Sequence, residues 1–364
     1  QGAANAGLGQ LDSAIDSYKQ AIKIKPNFAE AYSNMGVALQ NKGDLEAAIY
    51  NCQKAIKIKP DYAEAYYNLG NALNNKGDLE TAIDSYKKAL KIEPGYAMAY
   101  SNMGNALKDK GDHDASIYSY KQALKIRPDF AESYNNMGVA LRNKGDLDAA
   151  IDSYKQALKI KPEYAEAYYN MGSALNDNGD LDAAIESYKH AINIKPDYAS
   201  AFNNMGNTLK NKGDLDVAIG SYKQALKIKP DYAEAYNNMG IAQNDNGDLE
   251  AAIGSYKQAL KIKPDDADTY INMGSALMDM GDLDATIDSC QQALKIRPDF
   301  AEAYYNMGEA HHKDGELMLA IDSFKQALKI KPDSSRAWNN LIFPLQAMKL
   351  QIPSVQDLLS MINP

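Results

Sequence analysis

The chain has 364 residues, of which 45% are hydrophobic and 24% are charged, and its formal net charge is −9. This acidic but ordinary composition favours a soluble, cytoplasmic protein, and it excludes the broad phosphate-binding surface that nucleic-acid partners require. No apolar run approaches the roughly 20 residues needed to cross a bilayer, so we expect no membrane partner.

A period of 34 residues runs along the chain and marks tandem repeats. Residues 1–28 are interpreted as a truncated first repeat and residues 29–334 as nine complete copies. Residues 335–364 are interpreted as a degenerate capping helix followed by a C-terminal helical segment, with a kink predicted at Pro344. We number positions within a copy from its first residue, and the complete copies begin at Ala29, Ala63, Ala97, Ala131, Ala165, Ala199, Ala233, Ala267 and Ala301.

Each copy predicts two amphipathic helices. In residues 63–96, Tyr66 and Leu73 belong to one apolar helical face, and Ala82 and Tyr86 belong to a second. Glycine at position 8 disfavours a helix, so Gly70 predicts a close approach of the two helices opposite Ala82.

The ends of the predicted helices carry their own signals. Gly77 is expected to end the first helix, Asp78 to cap the second, and Pro94 to follow its end. At the start of the first helix, Asp61 and Glu64 are predicted to form a capping box. A pair of such helices cannot bury both its faces alone, which predicts an all-α solenoid of stacked copies.

The residue pattern resembles the tetratricopeptide repeat over more than nine tenths of the chain. The match comprises Tyr at position 4, Met or Leu at 7, Gly at 8, Ala at 20 and 27, Tyr at 24, and Pro at 32. The resemblance implies a right-handed superhelix of antiparallel helix pairs, with the first helix of each pair lining the concave face.

Position 6 is asparagine in every first helix, although asparagine is a poor helix former. Position 5, one residue away, varies among Ser, Tyr, Asn and Ile, so common ancestry of the copies does not explain the constant amide. We call the position-6 series the asparagine ladder, and it comprises Asn34, Asn68, Asn102, Asn136, Asn170, Asn204, Asn238, Asn272, Asn306 and Asn340.

A primary amide can donate to and accept from the backbone of an extended peptide, so the ladder predicts a peptide-binding groove. The ladder resembles that of the tetratricopeptide arrays of O-GlcNAc transferases, where inner-wall asparagines hold peptide backbone. This resemblance implies a protein–protein interaction scaffold with a peptide or protein ligand in the groove. The alternative is structural: each amide ties neighbouring helices together.

Positions 9, 12 and 13 make the wall amide-rich and of mixed charge. Glutamate at position 2, as in Glu64, is incompatible with a basic clamp for acidic C-termini.

No catalytic constellation, cofactor-binding motif or metal site is expected. His311 and His312 lie beside Asp314 and Glu316 but without metal-ligand spacing. Cys52 and Cys290 replace the tyrosine of position 24 and are interpreted as core residues.

Two alternatives to a peptide-binding scaffold stay open. The chain could be the substrate-selecting arm of a larger transferase. It could instead be a structural solenoid that associates end to end into oligomers or fibres.

Overall fold

The computed structural model describes residues 2–347, with side chains from residue 10 onward. The regular structure of these residues is twenty α-helices. They form two compact units, residues 1–194 and residues 195–364, and each is an α-solenoid of stacked helix pairs. The predicted C-terminal helical segment falls within residues 348–364, which lie outside the described residues.

The helices alternate between the two kinds expected for each copy. Helix α1 spans Gly2–Ile24. The first helices of the copies are α2 (Ala29–Lys42), α4 (Ala63–Lys76), α6 (Ala97–Asp109), α8 (Ala131–Lys144), α10 (Ala165–Asp177), α12 (Ala199–Lys212), α14 (Ala233–Asp245), α16 (Ala267–Met280), α18 (Ala301–Lys313) and α20 (Ser335–Ala347). The second helices are α3 (Leu45–Ile58), α5 (Leu79–Ile92), α7 (His113–Ile126), α9 (Leu147–Ile160), α11 (Leu181–Ile194), α13 (Leu215–Ile228), α15 (Leu249–Ile262), α17 (Leu283–Ile296) and α19 (Leu317–Ile330).

First and second helices occupy different sides of each unit. Helix α4 packs against α5 of its own copy and α3 of the preceding copy, and it also contacts the first helices α2 and α6. Among the described helices, the second helices of successive copies within a unit do not contact each other. The first-helix side of each unit is therefore its shorter, inner side, and we call the surface there the inner wall.

The predicted helix ends are confirmed in the copy that begins at Ala63. Gly77 has a φ of 88°, a left-handed conformation that glycine adopts without a Cβ clash, and the first helix ends before it. Asp78 accepts a hydrogen bond from the backbone N–H of Thr81 at 3.2 Å. The second helix ends at Ile92, before Pro94.

The predicted capping box at Asp61 and Glu64 is wrong. The residue that precedes helix α4 is Tyr62, and its side chain makes no capping hydrogen bond. The backbone N–H of Ala65 donates to the Tyr62 carbonyl at 3.1 Å, so the helix starts one residue later than predicted and Asp61 lies in the preceding turn. Glu64 Oε2 instead accepts from Tyr62 Oη at 3.1 Å.

The close approach predicted at Gly70 exists, and the group nearest to this glycine is an aromatic ring. A Cβ placed on Gly70 would lie 2.5 Å from Cε1 of Tyr86, the position-24 side chain of the same copy. The absence of a side chain at position 8 therefore lets the tyrosine ring lie directly on the backbone of the first helix.

Two helices near the ends of the described chain differ from the repeat pattern. Helix α1 continues through Gly9, the residue that corresponds to the helix-ending Gly77 in its copy. Gln10 follows Gly9 in place of the aspartate that caps the second helices, so no carboxylate stabilises a new helix start there. Helix α20 runs past Pro344 to Ala347.

Both cysteines are free and buried in the core, as interpreted from their repeat position. Burial raises the pKa of the Cys52 thiol from its ordinary 9.0 to about 12, and it does the same for Cys290. The neutral thiols therefore stabilise the fold fully below pH 9.0, and this contribution is lost as the pH rises toward 12.

We expect neither thiol of the native chain to react with iodoacetamide at about pH 8, because the reactive thiolate is disfavoured by burial. Both should react in strong denaturant, which serves as the control. Mass spectrometry of the two cysteine peptides measures the difference. Rapid alkylation of either thiol in the folded chain would contradict its placement in the core.

Candidate functional site: the inner wall

The asparagine ladder lies along the inner wall of each unit, where the amide N–H groups of most of its members donate to the preceding copy. Asn34 is exposed, Asn68 and Asn306 are buried, and the other members are half-buried. Nδ2 donates to the preceding first helix in these pairs: Asn68 to Ser33 (3.0 Å), Asn102 to Tyr67 (3.0 Å) and Asn71 (2.8 Å), Asn136 to Asn105 (3.0 Å), Asn170 to Asn135 (3.0 Å), Asn238 to Asn203 (3.2 Å), Asn272 to Asn237 (3.0 Å), Asn306 to Ser275 (3.3 Å), and Asn340 to Tyr305 (2.8 Å) and Glu309 (3.0 Å). In two copies the ladder oxygen accepts from position 5 of its own helix: Asn136 Oδ1 from Asn135 Nδ2 and Asn204 Oδ1 from Asn203 Nδ2, each at 3.3 Å. The donor side of the ladder therefore has the structural role that the sequence left open as an alternative.

These bonds also explain how position 5 varies. Serine, tyrosine and asparagine each offer an oxygen to the amide of the following copy, so they can replace one another. Isoleucine cannot, and it occurs once among the complete copies, at Ile271. There the amide of Asn306 donates instead to position 9, at Ser275. The ladder thus needs an acceptor on the preceding helix, at position 5 or at position 9.

Position 9 joins three helices through a single amide oxygen. Asn71 Oδ1 accepts from Tyr86 Oη of its own copy at 2.8 Å and from Asn102 Nδ2 of the next copy at 2.8 Å. The equivalent oxygen one copy later, on Asn105, accepts both bonds too, at 2.6 and 3.0 Å. Sequence reasoning placed Asn71 and Asn105 on the wall but missed this role. The sequence did contain a signal for this role, because asparagine recurs at position 9 in copies that have tyrosine at position 24.

This connection is broken in the copy that begins at Ala131, because position 9 there is Val139. The hydroxyl of Tyr154 is buried and finds no partner among the described residues. Asn170 keeps its bond to Asn135 at position 5. Position 24 can therefore be compared within one chain: Tyr120 has a hydrogen-bond acceptor and Tyr154 has none in the described part of the chain.

We expect Tyr120→Phe to lower the free energy of unfolding by about 1 kcal/mol, because it removes a buried hydrogen bond to Asn105. Tyr154→Phe should leave stability unchanged or raise it by up to about 1 kcal/mol, because the hydroxyl it removes has no partner. Urea denaturation followed by circular dichroism measures both. Equal losses in the two variants would show that the hydroxyl environments do not differ.

The acceptor side is open at three members of the ladder. Among the described residues, none donates to Oδ1 of Asn102, Asn170 or Asn272, and these oxygens are not enclosed. Because each amide is held through Nδ2, the orientation of its oxygen is fixed before any ligand arrives. The inner wall therefore presents positioned hydrogen-bond acceptors.

The cations at position 12 of unit 1 are paired within the wall. Lys108 Nζ lies 3.3 Å from Asp109 Oδ1, and Arg142 Nε donates to Asp177 Oδ2 at 2.6 Å. Each pair joins position 12 to a position-13 carboxylate, from the same copy for Lys108 and from the next copy for Arg142. No free positive patch arises from these two residues.

The histidine pair has a packing role. His311 is buried, and its Nδ1 lies 2.6 Å from Glu316 Oε2. Within residues 2–347, no group of three or more histidine, cysteine or acidic side chains could hold a metal ion. Nor does any helix in this range have the length and apolarity to span a bilayer.

Comparison with known proteins identifies the repeat. A family model described as "TPR repeat" matches residues 6–43, 41–77, 70–111, 104–145, 138–179, 172–213, 206–247, 242–281 and 274–315. A second model, described as "Tetratricopeptide repeat", matches residues 301–334. No protein with a curated description matches the chain.

Several solved structures are similar to the chain. A crystal structure of MamA is 32% identical, covers 44% of this chain and 95% of its own, and has a TM-score of 0.42. YrrB, described as a TPR protein with an unusual peptide-binding site, is 26% identical, covers 51% of this chain and 96% of its own, and has a TM-score of 0.44. The APC/C hetero-tetramer Cut9–Hcn1 is 16% identical, with 93% of this chain and 74% of that chain covered and a TM-score of 0.52.

The Cut9–Hcn1 similarity supports the α-solenoid fold alone. The family models together account for residues 6–334, which is most of the sequence. The match to residues 301–334 coincides with the copy that begins at Ala301. The chain belongs to the tetratricopeptide-repeat family.

Proposed function

We propose that this chain, a protein-interaction scaffold, holds extended peptide segments along its inner wall through the amide oxygens of the asparagine ladder. The observation that carries the proposal is the open acceptor side of Asn102, Asn170 and Asn272. An extended peptide carries backbone N–H groups along its length, and these are the donors that such a wall lacks.

Preorganisation supports the same function. Because Nδ2 of each amide is already bonded to the preceding copy, the side chain loses little rotational freedom when its oxygen accepts a bond. The proposal differs from the sequence-based expectation in one respect: the wall accepts from the peptide backbone more than it donates to it. The resemblance of the ladder to the arrays of O-GlcNAc transferases supports a backbone-directed grip.

The test combines selection with substitution. Random, unstructured peptides displayed on phage are selected against the full chain, and the best binder is measured by fluorescence anisotropy. We expect Asn102→Ala with Asn170→Ala to weaken its binding at least about tenfold, because two fixed acceptors are lost.

A matched control separates binding from stability, because the ladder also ties the copies together. Tyr86→Phe with Tyr120→Phe removes two bonds between helices while leaving every ladder oxygen in place. This control variant should bind as the parent does. An equal loss of affinity in both variants would remove the ladder oxygens from the mechanism, and failure to select any peptide would overturn the proposed function.

A further inference from the structure

We propose that the inner wall of unit 1 prefers extended peptides rich in basic side chains. This inference rests on the proposed function and names its partner class. Its basis is an excess of hydrogen-bond acceptors and uncompensated carboxylates on the wall.

The wall donors of unit 1 are largely used within the protein. Asn102 donates both to Tyr67 and to Asn71, while Asn136 and Asn170 each donate to the preceding copy. The cations of position 12, Lys108 and Arg142, are paired with Asp109 and Asp177 as described above. A ligand that needs donors or positive charge from this wall would have to break these bonds.

Acceptors are in excess near the N-terminal ends of the first helices, on the face that carries the ladder. Positions 2 and 6 are one helical turn apart, so a position-2 side chain lies beside the ladder. The position-2 glutamates of unit 1 are all exposed, namely Glu30, Glu64, Glu132 and Glu166. Among the described residues, Glu30 and Glu166 have no ion-pair partner, and Glu132 has only Lys161 at 3.5 Å.

Of the nearby lysines at position 31, Lys161 forms an exposed pair with one member of this row, Glu132, and the lysines of this position also contact aromatic rings. The ammonium of Lys59 lies over the ring of Tyr62, 4.9 Å from its centroid, and that of Lys161 lies over Tyr164 at 4.6 Å. These cations are held on the aromatic residues of the turn that precedes each first helix. The carboxylates of Glu30 and Glu166 are thus left to interact with charges from outside the chain, and that of Glu132 is held only by the exposed pair with Lys161.

Lysine and arginine side chains supply what this wall lacks, because they are donors without acceptors and carry positive charge. Acidic peptides would place their carboxylates against Glu132 and Glu166 and the ladder oxygens, where the position-12 cations Lys108 and Arg142 are already paired and cannot offset the repulsion. The expected ligand is an extended segment whose backbone meets the ladder and whose basic side chains meet the position-2 glutamates.

The experiment uses the full chain and three fluorescent peptides of about 16 residues, built from Gly-Ser-Ala-Lys, Gly-Ser-Ala-Gln and Gly-Ser-Ala-Glu repeats. We expect the lysine peptide to bind at least about tenfold more tightly than the glutamate peptide. Glu132→Gln with Glu166→Gln should weaken lysine-peptide binding about fivefold. Met98→Glu, which adds the missing glutamate at an exposed position 2, should strengthen it.

The control has the same charge change away from the wall: Asp148→Asn with Asp152→Asn on α9, both exposed. It should alter lysine-peptide binding less than twofold. An equal effect of the control would show that net charge alone attracts the peptide and would overturn the inference. Equal binding of the three peptides, or no binding of the lysine peptide, would overturn it as well. The phage selection described above still decides the proposed function independently.

Discussion

Asn105→Val is expected to lower the free energy of unfolding by about 2–3 kcal/mol. The substitution removes the oxygen that accepts from Tyr120 Oη at 2.6 Å and from Asn136 Nδ2 at 3.0 Å. It leaves a buried hydroxyl without a partner, which costs more than the net value of the bond itself. Urea denaturation measures the total loss, and hydrogen exchange of α6 to α8 locates it.

Two companion variants test this explanation. In a Tyr120→Phe background the cost of Asn105→Val should shrink, because the orphaned hydroxyl is no longer present. Val139→Asn supplies the missing acceptor to Tyr154 and should leave stability unchanged or raise it by about 1 kcal/mol. If the cost of Asn105→Val is the same in both backgrounds, the shared oxygen does not couple the helices.

Gly138→Ala is expected to lower the free energy of unfolding by about 1–2 kcal/mol, although alanine is the better helix former. The new Cβ would lie 2.6 Å from Cε1 and 2.8 Å from Cζ of Tyr154, whose ring is fully buried. Overpacking of this kind costs about 1–3 kcal/mol and outweighs the helix-propensity gain of about 1 kcal/mol. Thermal and urea denaturation measure the result.

The chain contains its own control at Gly274, where position 24 is Cys290 instead of tyrosine. A Cβ on Gly274 would meet its nearest neighbour, Ser289 Cβ, at 3.4 Å, which is ordinary contact. Gly274→Ala should therefore be neutral or stabilise the array by up to about 1 kcal/mol. Destabilisation of similar size at both glycines would indicate that the tyrosine ring is not the cause.

The sequence alone determined the repeat, the fold class and most helix ends. These features depend on local chemistry. Gly77 adopts a φ of 88°, and the carboxylate of Asp78 accepts from the backbone N–H of Thr81, three residues later. The proline that follows the second helix cannot continue it. Each acts within a few residues, so one copy of the pattern carries the information. The 34-residue spacing then implies stacking, because a lone helix pair leaves apolar faces uncovered.

The tertiary structure decided which groups of the wall are already occupied. The bonds of the asparagine ladder join residues 31 or 35 positions apart, and the oxygen of Asn71 serves two helices at once. Hydrogen-bond partners across a helix interface depend on side-chain reach and register, which a periodic pattern does not specify. The capping box at Glu64 failed for a local reason instead: the helix starts after Tyr62, so Asp61 lies one residue too early to be its N-cap. Sequence located the amides. Packing determined that the N–H groups of most of them hold the copies together, while the oxygens of Asn102, Asn170 and Asn272 receive no bond from the described residues.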